Sequence, residues 1–510
     1  MLRDFVVKCF VTPVSSARGS KRVRRSARPR HGRKSSPTAT DRDERLAWTV
    51  LWLIATAVVV AAAIVRVAAS RGELWLDEIW SYRLAGLQSS PLAVFTAIHH
   101  DNNHHLNTLY LYFIQASASW ITYRLHTLVT GVATVVLAGI IANRSGRRTA
   151  LIAMLLAAGS FLLVLYASEA RGYALAVFFA FLAIPLADRY FASGRLVWAA
   201  AFGVAATLGL LSHLTFLHAY VGLGAWTTYR AARGRPRHIA RTLSALHLLP
   251  CIAFAVLYWI DLQHIVIGGG PTLNASEVLA RTLSLGAGGP VAGPYRGGVV
   301  AVALISCIGG VFAARRCGSD LWVLLLVTTI VAPALTFAFV GSNLLYERYF
   351  LVVVAFGLMA SSWALDAIAR RSRVAALAVV AAFLAGNSVH IARLIRDGRG
   401  SYIPALTRIS EQAVQRPVTI GGDHDFRQGH LVEFYQHFVP RGSEIEYHAS
   451  FEWAVAGPEW YLVHSQEPTF QPEPELIVEG GRRYELSATY RHDGPSGWSL
   501  AVYHNVLALR

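Results

Sequence analysis

Two adjacent carboxylates set between tryptophans are the first residues that could do chemistry: Leu74-Trp75-Leu76-Asp77-Glu78-Ile79-Trp80-Ser81-Tyr82. The stretch follows the first long apolar segment, where a chain leaving a membrane re-enters water, and its nearest basic neighbours are Arg71 and Arg83. A carboxylate half-buried against apolar groups can take a proton from a hydroxyl as a general base. Adjacent residues point different ways, so the pair does not share a proton. Asp77 is expected to be the base and Glu78 to orient or bind. The plain alternative is two ordinary polar residues in a loop.

Histidines come next, in His99-His100-Asp101-Asn102-Asn103-His104-His105. Imidazole and carboxylate suit zinc or manganese. A helix would bring them together, but Asn102-Asn103 favour a turn. In a turn, the histidines cap the next helix or bind phosphate, with His104 and His105 in reach of substrate. No metal ligands are assigned, and a divalent metal is the one cofactor considered. Arg171 and Arg348 stand at the ends of apolar runs. They either reach for lipid headgroups or, with Tyr173 and Tyr349, recognise a lipid-linked phosphate through paired hydrogen bonds. His213 and His218 lie in apolar runs and read as interhelical hydrogen-bonders. Asp423-His424-Asp425 reads as a turn after a strand.

The elements that must position these residues are membrane helices. The chain has 510 residues, is 54% hydrophobic and only 15% charged, with a mean hydropathy of +0.41. Apolar runs near 20 residues recur, which is the length of a membrane span. The net charge of +17 is concentrated in part in residues 1–45, a basic, Ser- and Pro-rich tail expected to be disordered and cytoplasmic. No nucleic acid is expected as partner. Cys9, Cys251, Cys307 and Cys317 have no metal-ligand spacing, and no disulfide is expected. The first apolar run is too long and too far in for a cleavable signal peptide.

The expected fold is mainly α: a polytopic bundle of about 11 spans over residues 46–392, with interfacial helices in the first external loop and a small α/β extracytoplasmic domain over 400–510. Arg and Lys mark cytoplasmic loops. By that rule the N-terminus is inside, and residues 70–105 form the first external loop, with short helices near 75–87 and 91–99 and Trp75 and Trp80 at headgroup level. Residues 106–142 cross once, residues 261–296 form a second external loop, and the C-terminal domain is outside. The protein is expected to be integral to the cell membrane.

The same residues resemble a known family. Leu76-Asp77-Glu78 in the first external loop is similar to the signature of GT-C glycosyltransferases, in the bacterial branch like dolichyl-phosphate-mannose protein mannosyltransferases and the aminoarabinose transferases of lipid A. His104-His105-Leu106-Asn107-Thr108-Leu109-Tyr110 stands where that family has a His-Pro-Pro-Leu-Tyr-Tyr-like motif, with the prolines replaced. Tyr166-Ala167-Ser168-Glu169-Ala170-Arg171-Gly172-Tyr173-Ala174-Leu175 resembles its Ser-Arg-x-Ala-Arg-x-Tyr-Ala-Leu stretch, and Tyr346-Glu347-Arg348-Tyr349-Phe350 its late Arg-Tyr motif.

The resemblance implies a sugar donor on a polyprenyl phosphate, an extracytoplasmic glycan, lipid or protein acceptor, and transfer on the outer face. It implies Asp77 as base and Arg171 or Arg348 near the donor phosphate. Membrane lipids are the remaining partner. The rival is a transporter or flippase of lipid-linked or polar substrates, which would place charged or broken helices near the bilayer midplane.

Overall fold

Apolar runs that leave water form helices, because only a helix closes its backbone hydrogen bonds within one segment. The structure, a computed structural model, describes residues 39–117, 119–234, 236–268, 273–340, 345–440, 442–453, 457–467, 470–492 and 494–506. Most of the basic tail, with Cys9, lies outside the described residues. Helix α1, Ala39–Ala69, is followed by α2, Leu76–Gly86, and a single turn α3, Ala93–Thr96. Then come α4, His105–Ile114; α5, Trp120–Ala142; α6, Arg147–Gly159; and α7, Phe161–Ala167. Helices α8, Tyr173–Ser193; α9, Leu196–Ser212; α10, Phe216–Gly234; and α11, Ile239–Ile260, complete the first half.

Past α12, Ala275–Gly286, lie α13, Arg296–Arg316, and α14, Leu321–Leu326, which passes through a π-helical stretch into α15, Ala332–Val340. The last long helices are α16, Leu351–Arg371, and α17, Arg373–Asp397. Among the described residues, eight helices are long and apolar enough to cross a membrane, or nine with the bent pair α6–α7 taken as one span. With the shorter α9 and the more polar α10 added, each expected span corresponds to one helix or one bent chain of helices. Residues 105–142 supply a single long helix, since α4 is only 10 residues.

The α6–α7 bend of 59° frees backbone groups that must find partners in an apolar setting. Arg66, buried in α1, donates to the carbonyls of Ala157 at 3.0 Å and Ala158 at 3.3 Å. The Asn387 side-chain oxygen accepts the Phe161 N–H at 2.6 Å. The bend directs the chain into residues 168–172, which prove to be central to the site. Around it the bundle core gathers Val135, Leu162, Val177, Phe181, Phe202 and Phe356.

The C-terminal domain begins with α18, Tyr402–Gln412, and continues through β1, Val418–Gly422; α19, Asp425–Tyr435; β2, Ile445–Tyr447; and β3, Trp460–Ser465. It ends with β4, Glu475–Val478; β5, Arg482–Tyr490; and β6, Ser499–Asn505. The six strands form one sheet in the order β2-β1-β3-β6-β5-β4. β1 runs parallel to β2 and β3, and the remaining pairs are antiparallel, with Ile420 opposite Trp460 and Leu462 opposite Val502.

Two local expectations change. The helix expected near 91–99 is reduced to the four residues of α3, with the chain then turning through 97–104. The tryptophans do not face a headgroup layer: Trp75 is 1% exposed and meets Trp498 edge-on, and Trp80 stacks on His430 with ring centroids 4.8 Å apart and meets Phe426 at 5.1 Å. The C-terminal domain covers the apolar area that would otherwise seek lipid. Asp423 lies in a bend after β1, its side chain accepting from the His464 backbone N–H at 3.1 Å, and Asp425 already begins α19.

Candidate active site

Asp77 and Glu78 fall in the first turn of α2, where free backbone N–H groups favour acidic residues. They part at once. Glu78 is fully buried. It accepts from Arg124 Nε at 2.7 Å and Nη2 at 2.6 Å, from Ala170 N–H at 2.7 Å, and from Trp75 N–H at 3.3 Å. Burial alone would raise its carboxyl, but the Arg124 guanidinium overrides this and holds it below the ordinary carboxylate range. Glu78 therefore faces away from any substrate and anchors the turn.

Asp77 faces the other way, with its side chain 22% exposed. Its Oδ2 accepts a hydrogen bond from Arg171 Nη1 and stands 3.5 Å from Arg348 Nη1. Asn102 completes the frame. Its side-chain N–H donates to the Asp77 carbonyl at 2.8 Å and to Ser81 Oγ at 2.9 Å, while its Oδ1 accepts from Arg171 Nη2 at 2.8 Å.

Residues 169–172 are the hub. Four consecutive residues each hold a different part of the site. Glu169 pairs with Arg399 at 3.2 Å, the Ala170 N–H holds Glu78, Arg171 holds Asp77, and the Gly172 N–H donates to His104 Nδ1 at 3.0 Å. Burial raises the Glu169 carboxyl above its usual range despite Arg399. Position 172 must be glycine. A Cβ there would stand 1.8 Å from the Ser212 carbonyl oxygen and 3.0 Å from the His104 Cβ.

Accepting the Gly172 N–H fixes the His104 tautomer, with the proton on Nε2. Burial, together with the neighbouring Arg171 and Arg348 guanidinium groups, holds this imidazole well below its ordinary range, so it is a neutral donor near pH 7. His104 lies 4.5 Å from His213 and 5.3 Å from Tyr173, centroid to centroid. Arg171 lies over the Tyr173 ring at 5.2 Å and Arg348 over the Tyr349 ring at 5.6 Å. Glu347, by contrast, turns away to Arg281 at 3.2 Å.

Of the residues singled out from sequence, Asp77, His104, Arg171, Tyr173, Arg348 and Tyr349 come together. Glu78 and His105 do not join them. His105 Nε2 turns to Asp261 Oδ2 at 2.8 Å, and His99 Nδ1 meets the other oxygen of the same carboxylate at 2.9 Å. The histidine turn is thereby split between two partners, because helix α4 starts at His105 and sends the neighbouring imidazoles to opposite sides. Among the described residues, no three His, Cys, Asp or Glu side chains could together hold a metal ion. His218 bonds across helices to Thr336 at 2.9 Å, as expected, but His213 belongs to the site.

Sequence reasoning missed Arg124, Asn102 and Asp261. Arg124 had a readable signal, since a lone arginine opening an apolar run must be paired or functional. Asn102 and Asp261 carried none beyond polarity in a loop.

The fold and the site define a class: a many-helix membrane protein whose bundle end, under a small α/β domain, holds one carboxylate against two arginines. No family model and no curated protein matches the chain. Among solved structures it is similar to ArnT from Cupriavidus metallidurans in the apo state, at 12% identity and a TM-score of 0.51, over 90% of this chain and 98% of that one. It is likewise similar to the same protein bound to undecaprenyl phosphate, at 12% identity and a TM-score of 0.50, over 89% and 98%. The Archaeoglobus fulgidus oligosaccharyltransferase in the apo form gives 13% identity and a TM-score of 0.46, over 71% of this chain and 58% of that one. What is shared with ArnT at such identity is the fold, and the chain has the GT-C type of membrane fold.

Proposed function

We propose that this protein is a membrane glycosyltransferase that moves a sugar from a polyprenyl-phosphate donor to an extracytoplasmic acceptor. One observation carries the reading. Among the described residues, Arg171 Nε, Arg348 Nε, His104 Nε2 and the Tyr173 hydroxyl are buried around Asp77 with no hydrogen-bond partner. Buried donors without acceptors are costly, and a single phosphate group has the oxygens to satisfy several of them. Two guanidinium groups against one Asp77 carboxylate leave an excess positive charge, which a phosphodiester would balance. The likeness to ArnT, one structure of which is bound to undecaprenyl phosphate, supports the same ligand class.

In this reading an acceptor hydroxyl loses its proton to Asp77 as its oxygen attacks the anomeric carbon. The bond from that carbon to the phosphate oxygen breaks, and polyprenyl phosphate leaves with the electron pair. Arg171 and Arg348 stabilise the charge that develops on the leaving phosphate, while His104 and Tyr173 donate to it as neutral groups. Glu78, locked to Arg124, holds the turn that presents Asp77. The cations gather at the end of the bundle, next to the C-terminal domain, which favours transfer at a membrane surface over the transporter reading. The basic tail before α1 and the arginines that end α13 and α16, by the rule that Arg and Lys stay on the cytoplasmic side, support a site on the outer face.

The test is binding of a polyprenyl phosphate to purified protein. Arg348→Ala is expected to weaken it by about tenfold to a hundredfold, the worth of one charge-assisted contact. Equal binding by Arg348→Ala and wild type would remove the phosphate from this site.

A further inference from the structure

Residues 70–75, between α1 and α2, carry no reacting group, yet they are held from two sides. On the bundle side, Arg124 donates to the carbonyls of Ser70 at 2.8 Å, Gly72 at 2.6 Å and Glu73 at 3.0 Å. On the other side, the C-terminal domain grips the same segment. Glu73 Oε2 accepts the first two N–H groups of α18, from Tyr402 at 2.6 Å and Ile403 at 3.2 Å. It is the N-terminal cap of that helix, supplied from 329 positions earlier in the chain. Tyr435, the last residue of α19, donates its hydroxyl to the Leu74 carbonyl at 2.5 Å. Arg399, fully buried at the junction of bundle and domain, donates to the Ala69 carbonyl at 3.2 Å.

The apolar face of α2 follows the same allegiance. Leu76, Ile79 and Ala85, with Leu74 just before the helix, share one core with Ile409, Val418, Ile420, Leu431 and Trp460 of the C-terminal domain and with Leu111, Tyr123 and Ala170 of the bundle, apart from the main bundle core. The helix whose first turn carries Asp77 is thus clamped between the bundle and the domain above it.

We propose that the C-terminal domain is a working part of the active site, and that Glu73 and Tyr435 are positioning residues through which it fixes Asp77 against Arg171 and Arg348. The inference rests on the transferase reading of Asp77. Neither residue touches the reacting atoms. Each holds backbone three or four residues ahead of Asp77, at the start of a short rigid helix, so a shift there is passed on to the carboxylate. Displacement of a reacting group by about 1 Å costs about a hundredfold in rate. Burial raises the Glu73 carboxyl to about 7, with the two N–H donors pulling the other way, so the neutral amide of glutamine is a close substitute.

The experiment compares full-length wild type, Glu73→Leu, Glu73→Gln and Tyr435→Phe in a lipid nanodisc. Two quantities are read: amide hydrogen exchange over residues 70–86 without substrate, and kcat and donor KM per folded molecule. Glu73→Leu is expected to speed exchange in that segment and lower kcat by about tenfold to a hundredfold, with donor KM changed by less than about threefold. Glu73→Gln, whose amide oxygen still caps α18, is expected to recover kcat to within about threefold. Tyr435→Phe is expected to fall between them, and it tests the proposal if Glu73→Leu does not fold. A domain that only adds stability would change the yield of folded protein and leave kcat per folded molecule, and exchange at 70–86, as in wild type. That result in Tyr435→Phe and Glu73→Leu overturns the proposal. If wild type transfers no sugar from any donor, the transferase reading fails, and the exchange measurement still decides whether the domain orders the loop.

Discussion

Asp77 stands between two arginines, an arrangement that would let the proposed site wait for an anion without collapsing. Its carboxylate is the counter-ion of Arg171 and Arg348, and in the proposed reading it holds that place until phosphate arrives. His104 and His213 add donors and no charge: burial, with cations nearby, keeps both imidazoles well below their ordinary range. The sign follows directly. A histidine with a depressed value stays neutral as pH falls through the ordinary 6.5, so it gains no attraction for an anion there. Binding of a phosphodiester analogue of the donor, which has no titration of its own near neutrality, should therefore be flat between about pH 6 and 8. An affinity that rises on acidification with a midpoint near 6.5 would show that His104 protonates in place.

Arg171 and His104 are useful only because the chain between α7 and α8 delivers them together. Residues 168–172 are all buried, and the segment approaches α9 so closely that only glycine fits at 172. Gly172→Ala is expected to push this segment off the Ser212 carbonyl and to separate Arg171 from Asp77 and Gly172 N–H from His104. Transfer should fall by about a hundredfold or more, measured on protein that still elutes as a folded species. Wild-type transfer by Gly172→Ala would mean that the segment has slack the close contact with Ser212 does not show.

Much of this was legible in the residues, for definite physical reasons. Membrane helices announce themselves by length and apolarity, so candidate spans could be placed, and residues 106–142, expected to cross once, hold a single helix of spanning length. Asp77, Arg171 and Arg348 were visible because charged residues at the ends of apolar runs need a cause. Glu78 and His105 lie off the cluster around Asp77 for one shared reason. Each sits beside a residue of the site, and a helix sends neighbours roughly 100° apart, so one faces the site while the other serves the scaffold through Arg124 or Asp261. The merging of α2 with the core of the C-terminal domain was beyond sequence reading, because it joins residues more than three hundred positions apart.

Taken as a whole, the molecule is a bundle and a domain that both hold the segment just ahead of Asp77. The most direct measurement is sugar transfer from radiolabelled polyprenyl-phosphate donors by wild type and Asp77→Asn at matched amounts of folded protein. Asp77→Asn is expected to bind polyprenyl phosphate at least as well as wild type, since both arginines remain and a negative charge is lost, while transfer falls by about a hundredfold or more, as removal of a general base requires. Unchanged transfer by Asp77→Asn would contradict it.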